Sequence, residues 1–394
     1  MTKKPLLTMV GSQFLSAFPD NMAMFLVSAA ATQWFLGNAD EYVATALVVY
    51  FAVYVLISPW AGNISEKFPK GKIFILANGL RALFFIGIIL KWNPIWSYAF
   101  FGIGAVLYSP AKYGILPFLC PDEKSLMRGN ALVEGSTTIA VILGTVIGSK
   151  LSDQGIELTA LVGIGSLVAG AILAKCLPDT PTKDINIVKN GLGNFIEDLK
   201  FFFSNSTAAF SVLGAAVFWM GTRTLQPFLL LWVPTMFHLE GNGPVGLLTG
   251  VTAVGTIVGA LSSPYLVSYW QGNRILISGL LMGAGILIMS VITNIYILGG
   301  LLFIVGIFGG LYLIPVNSLN EHVGEHNMGA GRSVAVQNFT ENLCSFGAVS
   351  LYGVFRDQGV SPYKIAWGIG IVFISLVLSL WPLRTKETVK KELN

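Results

Sequence analysis

Long apolar blocks recur along the whole chain, and they constrain its fold more than any other feature. Each block runs for about 20 residues or more, which is the length an α-helix needs to cross about 30 Å of hydrocarbon. Of the 394 residues, 54% are apolar and only 11% are charged, whereas a soluble domain carries about 25% charged residues. These features exclude a water-soluble globule and predict a polytopic helical membrane protein.

Charged residues and Gly/Pro clusters separate the blocks and predict twelve membrane-spanning helices. The predicted spans are 7–36, 42–62, 73–91, 95–119, 130–151, 158–177, 207–237, 244–270, 274–293, 296–320, 332–355 and 363–383. With the N-terminus in the cytoplasm, 17 of the 24 basic residues lie in or next to the inside loops, four lie in or next to the outside loops, and three (Arg81, Lys112 and Arg223) are buried in the spans. The positive-inside rule therefore places both termini in the cytoplasm.

The chain divides into two halves of six spans. A polar segment of mixed charge, 178–206, is predicted to be a cytoplasmic linker between the halves 1–177 and 207–394. Four features recur in the same order at offsets of 202 to 205 residues: Ser58-Pro59 as Ser263-Pro264, Lys72 as Arg274, Pro110 as Pro315, and Gly129 as Gly331. A duplicated six-helix unit with cytoplasmic ends predicts an all-α polytopic membrane protein with the major facilitator fold.

The sequence predicts no enzyme, cofactor, metal site or nucleic-acid site. The three cysteines are far apart in apolar blocks, and His322 and His326 are predicted to lie in a cytoplasmic loop, so neither thiolate nor imidazole metal ligation is expected. No Walker loop occurs, which excludes ATP-driven export. The net charge of +4 comes from short loops and gives no nucleic-acid signal.

A few charged residues fall inside the predicted spans, where a charge costs about 3 kcal/mol and needs a partner or a cavity. Asp20 follows Pro19 in the first helix, and Arg223 lies 203 positions later in the seventh, at an almost symmetry-related depth. Lys112 in the fourth helix and Glu134 in the fifth face the cytoplasmic half of the bundle. These four residues are predicted to bind the substrate.

Other charges are assigned to the gate or to helix pairing. Arg81 and Glu341 lie nearer the predicted cytoplasmic surface, where they either pair structurally or brace the inner gate. The loop 62–72 combines glycine, an acid at Glu66 and bases at Lys67, Lys70 and Lys72. Because an acid here can bridge to a neighbouring helix end, the loop is predicted to latch the cytoplasmic side. An ordinary positive-inside loop is the alternative.

Several strings resemble the bacterial lysophospholipid transporter family, LplT, over essentially the whole chain. They are Gln13–Asn21, Tyr108–Leu116, Asn130–Ser136, Leu230–Pro234 and Ala335–Asn338. In that family the acid of helix 1 and the lysine of helix 4 bind the head group, which the resemblance transfers to Asp20 and Lys112. Asn21 joins the predicted site beside Asp20, whereas Arg223 stands about one turn earlier than the arginine of that family.

The resemblance implies a flippase in the inner membrane of a Gram-negative cell. It would move lysophosphatidylethanolamine and lysophosphatidylglycerol from the outer to the inner leaflet by alternating access. A cytoplasmic acyltransferase and acyl-carrier-protein synthetase would then reacylate them, and the carrier itself is expected to be a monomer that contacts membrane lipids.

Two other functions remain open at this point. A proton-coupled exporter of amphipathic drugs would share the fold and the membrane-embedded acid, although several bases suit an anionic phosphate better than a cationic drug. A membrane-integral acyltransferase is disfavoured because no histidine is followed by an aspartate five residues later.

Overall fold

The computed structural model describes residues 4–34, 39–184, 187–238 and 243–385. This part of the chain forms fourteen α-helices and ends in a 3-10 turn, Trp381–Leu383. The helices are α1 (Lys4–Gln33), α2 (Ala39–Lys67), α3 (Lys70–Ile89), α4 (Pro94–Gly114), α5 (Leu116–Leu119), α6 (Glu123–Gln154), α7 (Ile156–Ala174), α8 (Ile187–Ser204), α9 (Ser206–Phe237), α10 (Gly243–Leu266), α11 (Gly272–Met289), α12 (Ile295–Asn327), α13 (Ala330–Asp357) and α14 (Pro362–Ser379).

The prediction of an all-helical membrane protein is confirmed. Each predicted span consists mainly of one long helix. The end of 7–36 lies outside the described residues, 95–119 breaks at Ile115, and 158–177, 244–270, 274–293 and 363–383 run three or four residues past the ends of their helices. Ten of the described helices are long and apolar enough to cross a membrane. The other two predicted spans coincide with α2 and α13. The count of twelve crossings therefore fits the structure and stays a prediction.

The predicted linker contains a helix that the sequence analysis did not anticipate. Helix α8 places Phe195 and Phe202 on a buried face, and charged residues such as Glu197 and Lys200 are exposed. Such an amphipathic helix has an apolar side that packs against protein. The linker is therefore a structured element rather than a simple tether.

The chain forms two compact units. The first consists of Met1–Pro121, Leu132–Asp198 and Gly324–Val336. In this unit α3 packs against α4 and α7, and α2 packs against α4. Its core is rich in aromatic rings: Phe84 and Phe85 are fully buried, and the rings of Tyr98 and Phe101 stack with their centroids 5.3 Å apart.

The second unit consists of Asp122–Ala131, Leu199–Val323 and Gln337–Asn394. Helix α14 packs against α11 and α9. The hydroxyl of buried Tyr312 donates to the carbonyl of Gly214 at 3.1 Å. A Cβ on Gly221 would come within 2.6 Å of the Phe373 ring, so glycine is what lets α9 and α14 approach closely. That 1–177 and 207–394 are duplicated halves of the sequence stays a prediction.

Candidate functional site

Asp20 and Arg81 form an ion pair inside the first unit. Arg81 Nη1 lies 3.3 Å from Asp20 Oδ1 and also donates to the backbone carbonyl of Ser16 at 3.2 Å. The Arg81 side chain is 5% exposed, whereas that of Asp20 is 35% exposed. The structure thus pairs the predicted head-group acid with an arginine for which structural pairing and a role in the gate were the alternatives, and Asp20 is the accessible member.

Aromatic rings of α4 hold the Arg81 guanidinium. Its central carbon lies 4.6 Å from the centroid of the Tyr108 ring and 5.6 Å from that of Phe101. A cation over a ring face gains about 1–2 kcal/mol when it is desolvated. Arg81 is therefore fixed by the carboxylate, a carbonyl and two rings, and it does not reach the surface by snorkelling.

A polar stripe on α1 continues from this ion pair. Ser16 Oγ accepts a hydrogen bond from Asn78 Nδ2 at 2.9 Å and donates to the carbonyl of Ser12 at 2.8 Å. Ser12 Oγ in turn donates to the carbonyl of Gly170 at 2.8 Å. Ser12, Ser16 and Asp20 are spaced by four residues and so share one face of the helix. This face is buried against α3 and α7.

Lys112 and Glu134 form a second buried charged group around Tyr113. Lys112 lies in the last turn of α4, where the helix dipole favours a cation, and its Nζ is 4.1 Å from the centroid of the Tyr113 ring. The Tyr113 hydroxyl donates to the Glu134 carboxylate. Lys112 and Glu134 are 9% and 8% exposed. The sequence analysis assigned no role to Tyr113, although Tyr113 lies in the string Tyr108–Leu116 that resembles the transporter family.

The other predicted substrate residues are arranged differently. Asn21 is half-buried on α1 beside Asp20. Arg223 belongs to the second unit, where Nη1 donates to Asn342 Oδ1 at 2.9 Å and the guanidinium lies 5.4 Å from the centroid of the Trp219 ring. The assignment of these residues to substrate binding stays a prediction.

Buried amides surround Glu341 in the second unit. Gln337 Nε2 donates to Glu341 Oε1 at 2.7 Å and to Asn317 Oδ1 at 2.9 Å. A further acid that the sequence analysis overlooked, Glu321, is 1% exposed and accepts from Asn130 Nδ2 at 2.8 Å. It was missed because the predicted span ended at 320, whereas α12 continues to Asn327.

Glu66 lies at the centre of a group that we call the latch: Glu66, Lys70, Lys183 and Gly331. Its carboxylate accepts from the amide of Gly331 at 3.0 Å and lies 3.7 Å from Lys70 Nζ and 3.4 Å from Lys183 Nζ. Glu66 is 6% exposed. The structure therefore ties the end of α2 to the first turn of α13. That this contact closes the cytoplasmic side stays a prediction.

Glycine makes this approach of α2 and α13 possible. A Cβ on Gly331 would lie 2.4 Å from Ser65 Oγ, and one on Gly329 would lie 2.4 Å from the Glu66 side chain. Gly329 also has a φ of +115°, a conformation that other residues rarely adopt. The two glycines thus form the space that receives the carboxylate.

Of the three bases in the predicted loop motif, Lys70 is the one for which the described contacts include an ion pair with Glu66. Lys67 is half-buried and Lys72 is exposed, whereas buried Lys70 and the linker residue Lys183 make the ion pairs. Lys70 was already part of the predicted loop motif, and it meets Glu66 across the turn between α2, which ends at Lys67, and α3, which begins at Lys70. Lys183 was not predicted, because nothing in the linker sequence indicates where the linker packs.

The linker also clamps the start of α13. Arg332 donates from Nε and Nη2 to the two carboxylate oxygens of Asp198, at 2.8 and 2.5 Å. Burial raises the pKa of the Asp198 carboxyl, and the Arg332 guanidinium opposes that rise. A bidentate pair of this kind is stronger than a single hydrogen bond and restricts the geometry of both side chains more tightly.

Comparison with known proteins identifies the fold and close relatives. The family model described as Major Facilitator Superfamily matches residues 9–349. The lysophospholipid transporter LplT of Enterobacter sp. (strain 638) is 33% identical over 388 residues, covering 96% of this chain and 95% of the relative. The LplT of Escherichia coli O139:H28 is 32% identical over 382 residues, with coverage of 96% and 95%.

Solved transporter structures share the fold at low sequence identity. The Escherichia coli fucose:proton symporter FucP aligns with a TM-score of 0.75 at 14% identity, over 97% of this chain and 99% of that chain. The human organic anion transporter MFSD10 aligns with a TM-score of 0.76 at 11% identity, over 95% and 99%. At such identities the similarity supports the fold alone.

Proposed function

Because the chain belongs to the Major Facilitator Superfamily and, within it, to the lysophospholipid transporter family LplT, we propose that it flips lysophospholipids across a membrane by alternating access. It is a multi-pass membrane transporter and not an enzyme. The direction we propose is from the outer to the inner leaflet, with lysophosphatidylethanolamine and lysophosphatidylglycerol as substrates.

The observation that carries this proposal is the burial of both signs of charge within one unit. The first unit encloses Asp20 with Arg81, and Lys112 with Glu134. A lysophospholipid head group carries a phosphate anion and, in the ethanolamine form, an ammonium. Bases suit the phosphate and acids suit the ammonium. Membrane-embedded charges of this kind mark a substrate path.

The acyl tail sets the second requirement. Each buried CH₂ is worth about 0.8 kcal/mol, so a 16-carbon chain gains on the order of 12 kcal/mol from staying in hydrocarbon. The tail therefore stays in an apolar environment throughout, and the protein needs to provide a polar path for the head group alone. The buried charges could form this polar path, and the otherwise apolar helices leave the tail in an apolar environment.

We further propose a cellular setting. The excess of basic residues on one side supports cytoplasmic termini. Membership of the LplT family supports a location in the inner membrane. Flipped lysolipids would be reacylated by a cytoplasmic acyltransferase and acyl-carrier-protein synthetase, and the carrier would act as a monomer.

The decisive experiment measures flipping in proteoliposomes. Purified protein is reconstituted with fluorescent lysophosphatidylethanolamine, and a membrane-impermeant quencher reports the label that has moved between leaflets. Proton and sodium gradients are imposed in separate arms. We expect flipping well above that of empty liposomes, with the lysolipid recovered chemically unchanged. Equal rates in empty liposomes would contradict the proposal, and acylated product would indicate an enzyme.

Lys112→Gln supplies the site-specific arm of this experiment. We expect it to reduce flipping strongly, because it removes a buried cation from the proposed phosphate path. Lys175→Gln is the matched control, since Lys175 is exposed at the end of α7 and the change in charge is the same. If the two variants flipped at equal rates, Lys112 would not belong to the path.

A further inference from the structure

A basic cavity lies in the second unit, and its lining includes none of the charged residues of the candidate site described above. Its volume is about 580 Å³, and it is enclosed by the start of α6, the end of α10 and the connection from α10 to α11. The distribution of basic residues places this end of the helices on the predicted cytoplasmic side. Basic pockets between membrane helices on that side bind lipid head groups.

The cavity carries one net positive charge. Lys124 and Arg274 line it together with Glu123. The Glu123 carboxylate accepts a hydrogen bond from Ser268 Oγ, so it is already engaged inside the cavity. Arg274 Nη1 donates to the carbonyl of Leu266 at 3.0 Å, which uses one of the five donors of a guanidinium and fixes its position.

Two charges close to Glu123 and Lys124 in the sequence leave that balance unchanged. Arg128, one turn after Lys124, lies with its guanidinium 5.2 Å from the centroid of the Tyr265 ring, which also lines the cavity. Asp122 is exposed and accepts from the amide of Ser125 at 3.0 Å. The positive charge of Arg128 and the negative charge of Asp122 cancel. A monoanionic phosphodiester would therefore neutralise the site, whereas a zwitterionic head group would leave its charge in place.

The cavity opens beside an apolar stripe. Tyr265 is 69% exposed and Leu266 is 54% exposed. On α10, Val254, Val258 and Leu261 are also exposed, and together with Tyr265 they recur at steps of three or four residues, which places them on one face of the helix. In a membrane this face lies against acyl chains. An acyl chain could therefore lie along the stripe while its head group occupies the cavity. A soluble phosphate has no acyl chain and would not use the stripe.

We propose that this cavity binds the phosphate of an anionic glycerophospholipid of the bilayer through Lys124 and Arg274, with an acyl chain along the exposed face of α10. Trp270 forms part of the cavity wall, and indole rings favour the boundary between head groups and hydrocarbon. The site shares no residue with the proposed head-group path, so its failure would leave the transport function standing.

The test is a lipid titration of the detergent-solubilised full chain. Thermal unfolding is followed while phosphatidylglycerol, phosphatidylcholine or inorganic phosphate is added in separate arms. We expect phosphatidylglycerol to raise the unfolding temperature at lower concentration than phosphatidylcholine, and inorganic phosphate to have no effect. In the double variant Lys124→Gln/Arg274→Gln, we expect about a 30-fold weaker response to phosphatidylglycerol, at about 1 kcal/mol per basic residue.

Lys175→Gln/Lys200→Gln is the matched control, because both lysines are exposed and distant in sequence from the cavity. It should respond to phosphatidylglycerol like the unmodified protein. An unchanged response in the Lys124/Arg274 variant would overturn the proposal, as would equal stabilisation by phosphatidylcholine. Stabilisation by inorganic phosphate would identify a soluble-anion site instead.

A second measurement covers the case in which the double variant fails to fold. Brominated phosphatidylglycerol should quench the tryptophan fluorescence of the unmodified protein more than brominated phosphatidylcholine does. Trp270→Phe should remove that difference. If the two brominated lipids quench equally, or if the difference persists without Trp270, the proposal fails.

Discussion

Glu66→Gln tests whether the latch controls opening of the predicted cytoplasmic side. The charged carboxylate accepts from the buried amide of Gly331 at 3.0 Å, and such a bond contributes about 1.5–3 kcal/mol, against about 0.5–1.5 for a neutral acceptor. Lys183 is half exposed, so its ion pair adds little. Replacing the charge while keeping the shape should weaken the latch by about 1–2 kcal/mol.

The size of this change fixes the expected result. In a carrier with two states, only a contact that differs between the states shifts their balance. If the latch holds only while the cytoplasmic side is closed, a loss of 1–2 kcal/mol increases the open population about 5- to 30-fold. Contacts of the proposed head-group site are untouched, so selectivity among lysolipids should not change.

Ser65 provides a reporter for that opening. Ser65 is fully buried. It packs so closely against α13 that a Cβ added to Gly331 would lie only 2.4 Å from its Oγ. Ser65→Cys in a background without Cys120, Cys176 and Cys344 should react with a maleimide only when α13 separates from α2. When opening and closing are faster than the reaction, the labelling rate reports the open population.

The comparison then requires two variants in this background. Glu66→Gln should raise the labelling rate of the cysteine at position 65 about 5- to 30-fold. Asp184→Asn is the matched control, because it makes the same chemical change at an exposed linker position, and its rate should equal that of the parent. An unchanged rate in folded Glu66→Gln protein, or altered lysolipid selectivity, would refute the latch.

Three further substitutions test the charged groups. Asp20→Asn should abolish flipping of lysophosphatidylethanolamine in proteoliposomes while folded protein is retained, because it removes the accessible partner of Arg81; transport at the normal rate would contradict this role. Lys112→Ala should reduce flipping of the ethanolamine and glycerol lysolipids alike, since both carry the phosphate; loss of only one would exclude a phosphate contact. Asp198→Asn should lower the free energy of unfolding by about 1–3 kcal/mol, measured by denaturant titration, whereas Glu197→Gln at an exposed position should not.

The fold could be predicted because membrane insertion imposes a simple rule. A span must be about 20 residues long and nearly free of charge, so the sequence marks each one directly. The ends were harder. Helices α6 and α12 extend beyond their predicted spans, to Glu123 and Asn327, because charged residues end a hydrophobic block without ending a helix.

The linker shows a different limit. Phe195, Phe202 and their exposed charged neighbours were visible in the sequence as an amphipathic pattern, and we read the segment by its overall polarity instead. What the pattern could not reveal is the surface against which α8 packs. The pairing of Asp198 with Arg332 depends on tertiary structure alone, since 134 residues separate them.

The Asp20–Arg81 pair shows how far intramembrane charges can be matched from sequence. Ser12, Ser16 and Asp20 recur every four residues on α1, and Asn78 and Arg81 are three apart on α3, so each helix carries a polar stripe that must face protein. By depth along the bilayer, the sequence matched Asp20 with Arg223 and placed Arg81 nearer the cytoplasmic surface, whereas the structure pairs Asp20 with Arg81. Which arginine it meets depends on which helix packs against α1, and that is decided by apolar side chains and small residues whose fit the sequence does not display.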